Sequence, residues 1–389
     1  MTSNHNARIN GLDTLRAAAI LLVLMYHYMV VVSGKNTFGF LTEIGWTGVD
    51  LFFVLSGYLI GNQIFSALAQ EKEFSLKTFY MRRLLRTVPN YLVILAIYFL
   101  CSSLLAGTGT ASIWRFLSFT QNIGLRPGET FTHSWSLCIE EQFYLILPMA
   151  ALLIFSTTQS VRFAWIILCA ALLIAMSVRA WVWLNYGRSG ISSMDFYQHI
   201  YYSSFARFDE LLPGVAIALL KNFQTRTYEK ILRYGNGLLI VGAISVAVMF
   251  YVMSQILYSD SDGYNFWATS VGYSFLAMSF AALTLSALSP DSMLNRIRIP
   301  GAERVALWSY AIYLAHKPIF KLAIAPLTQL GISTDSWLGI AVIMAVSVFG
   351  GWLLFRLIEK PFMRLRDRYY SSTTSRRIHA TVNGMIGKR

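Results

Sequence analysis

Apolar residues along this chain gather in long runs, separated by short polar and mostly basic segments. A bilayer core takes about 20 apolar residues per helix. Ten stretches meet that length, near 10–33, 46–66, 87–106, 134–157, 162–184, 199–220, 236–257, 266–288, 304–325 and 336–358. The pattern predicts an all-α polytopic membrane protein with about ten transmembrane helices. The first run keeps Arg16 inside its apolar segment and has no small-residue cleavage site behind it, so it reads as a span and not as a signal peptide. No internal repeat and no soluble second domain is visible. The expected division is a transmembrane domain over 1–368 and a basic cytoplasmic tail over 369–389.

Composition points the same way. Of 389 residues, 56% are apolar and 13% are charged, against about 25% charged in an ordinary soluble domain. A soluble protein so composed would expose large apolar patches, and lipid is the solvent that suits it. The net charge of +13 would suit nucleic acid only if the basic residues clustered on one soluble face. They lie instead mostly between the spans. With the N-terminus placed in the cytoplasm, the cytoplasmic segments hold 22 Lys and Arg and the outer loops four, Lys35, Arg115, Arg126 and Arg188. By the positive-inside rule both termini are cytoplasmic. The three cysteines, Cys101, Cys138 and Cys169, have neither disulfide nor metal-ligand spacing. No metal site and no nucleic-acid partner is expected; membrane lipids are, with the basic tail against anionic headgroups.

Ionisable residues within spans are costly and face a cavity or a partner. Arg16 and His27 share the first span eleven residues apart, which places both on one helix face, about 16 Å apart along the axis. A snorkelling arginine and a hydrogen-bonded histidine would show the same spacing. The fourth span begins HSWSLCIEEQFYLILP, and Glu140 and Glu141 fall roughly 10 Å below its start, near the depth expected of His27. Neighbours diverge by about 100° on a helix, so one carboxylate faces the cavity and the other needs a basic partner or a proton. Arg207 and Asp209 sit at a similar depth in the sixth span, either as a cavity lining or as an ion pair. His316 and Lys317 lie mid-span in the ninth, and Asp50 in the outer turns of the second. On the cytoplasmic side, KTFYMRRLLRTVPNY carries Arg82, Arg83 and Arg86 within about one helical turn. Guanidinium forks suit phosphate oxygens, although a topology anchor would show the same cluster.

The ordered set of Arg16 and His27, GVDLFFVLSGYLI, FYMRRLLRTVPNY, HSWSLCIEEQFYLILP, RFDELLPG, SYAIYLAHKP and RLIEKPF spans nearly the whole chain. It resembles the acyltransferase 3 family of membrane acyltransferases. That resemblance implies transfer of an acyl group, commonly acetyl, from cytoplasmic acyl-CoA to a hydroxyl of a carbohydrate or lipid-linked glycan, in the bacterial cytoplasmic membrane. It matches Arg16 and His27 to the family's first-helix pair, Arg82–Arg86 to its basic motif, and Glu140 or Glu141 to its carboxylate. Cys138 stands where many relatives have a small hydroxyl residue. Many relatives add a C-terminal SGNH hydrolase-like domain, whereas this chain stops after its tenth span, so a stand-alone form is expected.

The chemistry follows from the residue types. A thioester is already activated, so the protein must position it, deprotonate an alcohol and stabilise an oxyanion. His27 is the natural base, with Glu140 or Glu141 to orient it. Arg16 suits the donor's phosphate or thioester end, and Arg82, Arg83 and Arg86 its phosphates. Asp50, Arg207, Asp209 and His316 are the expected acceptor lining. A secondary transporter, or a glycan flippase or assembly subunit, would also carry intramembrane charge, but no inverted repeat or Gly/Pro-broken helix pair is evident.

Overall fold

The computed structural model of the chain describes residues 9–158, 160–186, 191–259 and 263–369. All of the expected basic tail beyond Tyr369 lies outside these residues. Ten helices carry the architecture: α1 (Asn10–Tyr28), α2 (Gly48–Ala69), α3 (Leu76–Leu100), α4 (Trp135–Thr157), α5 (Val161–Tyr186), α6 (Leu212–Phe223), α7 (Gly235–Gln255), α8 (Tyr273–Leu288), α9 (Ala302–Gln329) and α10 (Trp337–Leu354). Among the described residues the only sheet is the antiparallel pair β1 (Tyr258–Ser259) and β2 (Gly263–Tyr264). The all-α polytopic expectation holds.

Eight of the ten expected spans form helices long and apolar enough to cross a bilayer. Helix α9 is long enough but polar, with His316, Lys317 and Lys321 and two internal prolines, Pro318 and Pro326. The sixth expected span, 199–220, is not one helix. It breaks into a π turn (Tyr197–Tyr201), a short helix (Ser204–Arg207), a 3₁₀ turn (Phe208–Leu211) and then α6. Pro213 at the start of α6 cannot donate to the preceding turn. Such backbone is tolerated at membrane depth only where protein satisfies it. Arg179 does so from α5, donating to the Ser270 carbonyl at 2.9 Å and to that of Ala206.

Helix α1 is central and packs on α2, α8 and α9, which is why Ile20, Val23 and Leu24 are fully buried. Helices α2 and α6 touch backbone to backbone. A Cβ on Gly57 would sit 2.0 Å from the Leu211 carbonyl oxygen, and one on Gly214 2.0 Å from that of Val54. The small-residue spacing Gly57-xxx-Gly61 is what lets membrane helices approach this closely. Helices α5 and α7 turn outward, exposing Leu173, Ile174, Ile240 and Ile244. In water such faces aggregate; here they are the surface that lipid covers.

Helix α3 starts eleven residues before the expected third span, because Ser75 caps it by accepting from the Thr78 N–H at 3.2 Å. Arg82, Arg83 and Arg86 therefore belong to the spanning helix itself, not to a stretch preceding it.

Candidate active site

A cavity of about 500 Å³ opens between α1, α2, α3, α4 and α9. Its wall holds five arginines, Arg16, Arg82, Arg83, Arg86 and Arg366, and a single carboxylate, Glu140. Arg366 comes from the continuation of α10, whose helical run reaches Tyr369. Arg83 is anchored by its surroundings. Its guanidinium lies 3.8 Å above the Tyr144 ring centre, 3.8 Å from Glu140 and 3.6 Å from Glu141. Glu140 also accepts from the Ser56 hydroxyl at 2.9 Å. Both carboxylates thus turn to Arg83, and the expectation that one of them orients His27 differs from what is seen. The physical reason is local: α3 places a guanidinium between two half-buried acids that would otherwise lack a charged partner.

His27 is held by its own helix. Its Nδ1 lies 3.1 Å from the Val23 carbonyl, and a carbonyl only accepts, so Nδ1 carries the hydrogen and Nε2 keeps its lone pair. Two further histidines close on it. The His316 ring centre is 4.8 Å away and that of His133 6.4 Å, with 5.1 Å between those two. Each has one nitrogen committed to a backbone carbonyl, His316 Nδ1 to Tyr313 at 2.6 Å and His133 Nε2 to Leu314 at 3.1 Å. The other nitrogen of each, His316 Nε2 and His133 Nδ1, is buried without a hydrogen-bond partner. His27 alone of the three is partly exposed. The floor between cavity and histidines is a hydrogen-bonded pair: the Tyr313 hydroxyl donates to the His133 carbonyl at 2.5 Å and accepts from Ser136 at 2.6 Å. Among the described residues, no group of three or more His, Cys, Asp or Glu is arranged to hold a metal ion.

The remaining intramembrane charges lie elsewhere. Arg207 does not pair with Asp209. It pairs with Asp50 at 2.9 Å and with Glu210, beneath the rings of Trp135, Tyr201 and Tyr273. Asp209 pairs with Arg179 at 2.8 Å and accepts from Ser274. All five charged side chains are 0% exposed, and none lines the cavity. The expected acceptor lining of Asp50, Arg207 and Asp209 is instead an internal framework that pins the broken sixth span to α2 and α5. His316 is the one member of that expected set found beside His27. Cys138 is fully buried, its thiol donating to the Ser134 carbonyl at 3.4 Å.

The family profile described as an acyltransferase domain matches residues 9–356. The chain belongs to the acyltransferase 3 family. Curated relatives include the peptidoglycan O-acetyltransferase of Listeria monocytogenes, 29% identical over 92% of this chain and 56% of that protein. A Bacillus subtilis protein provisionally named a peptidoglycan O-acetyltransferase is 28% identical over 95% of this chain and 57% of its own length. The chain thus spans little more than half the length of these relatives. No solved structure matches it significantly.

Of this acyltransferase 3 chain, the sequence motifs brought out Arg16, His27, Arg82, Arg83, Arg86, Glu140, Glu141 and His316. The structure unites Arg16 with the basic cluster and His27 with His316. It adds His133, Arg366 and Tyr313. His133 opens the HSWSL motif and was visible there; Arg366, one of several basic residues near the chain's end, carried no distinguishing signal.

Proposed function

We propose that the protein is a membrane O-acyltransferase that moves an acyl group, acetyl in the first instance, from acyl-CoA to a hydroxyl of a carbohydrate acceptor. The observation that carries this reading is the layout of α1. Arg16 faces a cavity of five arginines, and His27 faces the histidine cluster about 16 Å further along the same helix face. That separation suits a cosubstrate with phosphates at one end and a thioester at the end of a long arm. The basic loop count supports a cytoplasmic position for the arginine end and an outer position for the acceptor.

In this reading the arginines bind the phosphates, with Arg83 kept in place by Glu140, Glu141 and Tyr144. His27 Nε2 takes the proton of the acceptor hydroxyl as its oxygen attacks the thioester carbonyl. The carbon–sulfur bond then breaks, and the leaving thiolate takes the proton from the imidazolium. The Val23 carbonyl supports that imidazolium through Nδ1–H, the part first expected of a glutamate. Direct transfer needs no enzyme nucleophile, and the thiol of Cys138 is fully buried and donates to the Ser134 carbonyl. The relatives' names favour a cell-wall glycan as acceptor.

The test is turnover by purified protein in lipid nanodiscs supplied with acetyl-CoA and a glycan acceptor. Acceptor-dependent release of CoA thiol, with an acetyl mass gained by the glycan, is the expected result. Absence of both, across acyl donors, would sink the reading and favour transport.

A further inference from the structure

Helix α9 crosses the site in a fixed order. Ser309, Tyr310 and Tyr313 line the arginine cavity, His316 joins the histidine cluster one turn later, and Lys317 and Lys321 follow. Lys321 therefore lies more than a turn beyond His316, away from the arginine cavity, and Lys317 sits at the level of that histidine. Lys317 is partly exposed and directly follows His316 on α9. It meets no carboxylate among the described residues. Lys321, one helical turn on, makes a long 3.5 Å contact with the Leu105 carbonyl and likewise has no acidic partner there. Like charges at this i,i+4 spacing repel. Ionisable groups at membrane depth are ordinarily paired, with one another or with a ligand. Among the described residues, several intramembrane charges obey that rule: Arg179 has Asp209, Arg207 has Asp50 and Glu210, and Arg83 has Glu140 and Glu141.

We propose that Lys317, supported by Lys321, binds an anionic group carried by the acceptor, so that the enzyme selects acidic glycans over neutral ones. This rests on the acyl-transfer reading for the identity of the acceptor, but the binding itself does not require turnover. The anion sits on the acceptor because the donor's phosphates have their own cavity at the other end of α9. A carboxylate on the sugar and a phosphate ester offer the same sign of charge, and the two are separated by experiment.

Equilibrium binding of three otherwise matched glycosides to the protein in nanodiscs, without donor, provides the test: a neutral hexoside, its uronate and its 6-phosphate. At least one anionic form should bind roughly tenfold to a hundredfold tighter than the neutral one, and the tighter of the two identifies the source of the charge. The preference should vanish in Lys317→Gln, weaken in Lys321→Gln and survive in Lys317→Arg. Acetyl-CoA titration of each variant reports whether the fold is intact, and Lys317→Arg guards against a purely structural loss. Equal binding of all three glycosides, or a preference that persists in Lys317→Gln, overturns the proposal. Charge-selective binding without any acyl transfer would leave this site standing and overturn the transfer reading instead.

Discussion

His27 and Arg16 divide the labour along one helix face, and their variants should fail differently. His27→Ala should lower acyl transfer by about 10²–10⁴-fold, the range of a lost general base, while acyl-CoA affinity stays near that of the parent. Steady-state turnover beside calorimetric CoA titration separates the two effects. Arg16→Lys should weaken both, because an ammonium is a point charge and cannot offer a planar pair of donors. Arg366 gives the sharper test of the cavity, since only the folded arrangement singles it out. Arg366→Ala should cost roughly tenfold to a hundredfold in CoA affinity, the worth of a hydrogen bond to a charged group. A neutral outcome by calorimetry at Arg82, Arg83, Arg86 and Arg366 alike would reduce the cluster to a topology anchor. At this scale the residue types were legible but their partners were not. Glu140 and Glu141 were expected at His27 and lie against Arg83, because depth along a helix says nothing about which way a side chain turns.

The broken sixth span shows how an element can be held by another element's charge. Arg179 donates to the buried carbonyls of Ala206 and Ser270 and pairs with Asp209, all without exposure to solvent. Arg179→Met should lower stability by about 3–5 kcal/mol, the cost of leaving a buried partner charge alone, measured by thermal unfolding in detergent. Adding Asp209→Leu should restore part of that loss but not all, because the Ala206 and Ser270 carbonyls still lose the Arg179 donor. The contact of α2 with α6 is equally demanding. Gly57→Ala places a methyl against the Leu211 carbonyl, and the backbone cannot yield there as a flexible side chain would. A marked fall in folded yield, read by size-exclusion profile, is the expected outcome.

For the whole molecule, the proposed sidedness predicts which loops are reachable. In a background carrying Cys101→Ser and Cys169→Ser, which removes the two exposed native thiols, Lys77→Cys and Lys230→Cys should react with an impermeant thiol reagent only after the inner face is opened. Asn36→Cys and Arg126→Cys should react in intact spheroplasts. The reverse labelling would place the arginine cavity on the outer face and remove the donor site from the cytoplasm.

Solvent explains which of these properties could be read from the chain alone. Lipid imposes one strong rule on composition, a long apolar run for every crossing, and that rule is local. Helical class and eight of the ten expected spans follow from it without any knowledge of packing. The pairing of Arg16 with His27 was legible for the same reason, since both lie on one helix with a fixed rise and turn. What tertiary structure alone decided is everything that joins different helices. His27, His133 and His316 come from three separate segments, Arg366 reaches its cavity from the last helix, and Arg179 finds Asp209 across a broken span. No spacing rule connects such positions, because the angle and depth at which helices meet are set by side-chain packing summed over the whole bundle. The interruption of the sixth span belongs here too. Its residues are apolar enough to suggest a helix, but the buried charges that replace helical hydrogen bonds are supplied from elsewhere in the fold.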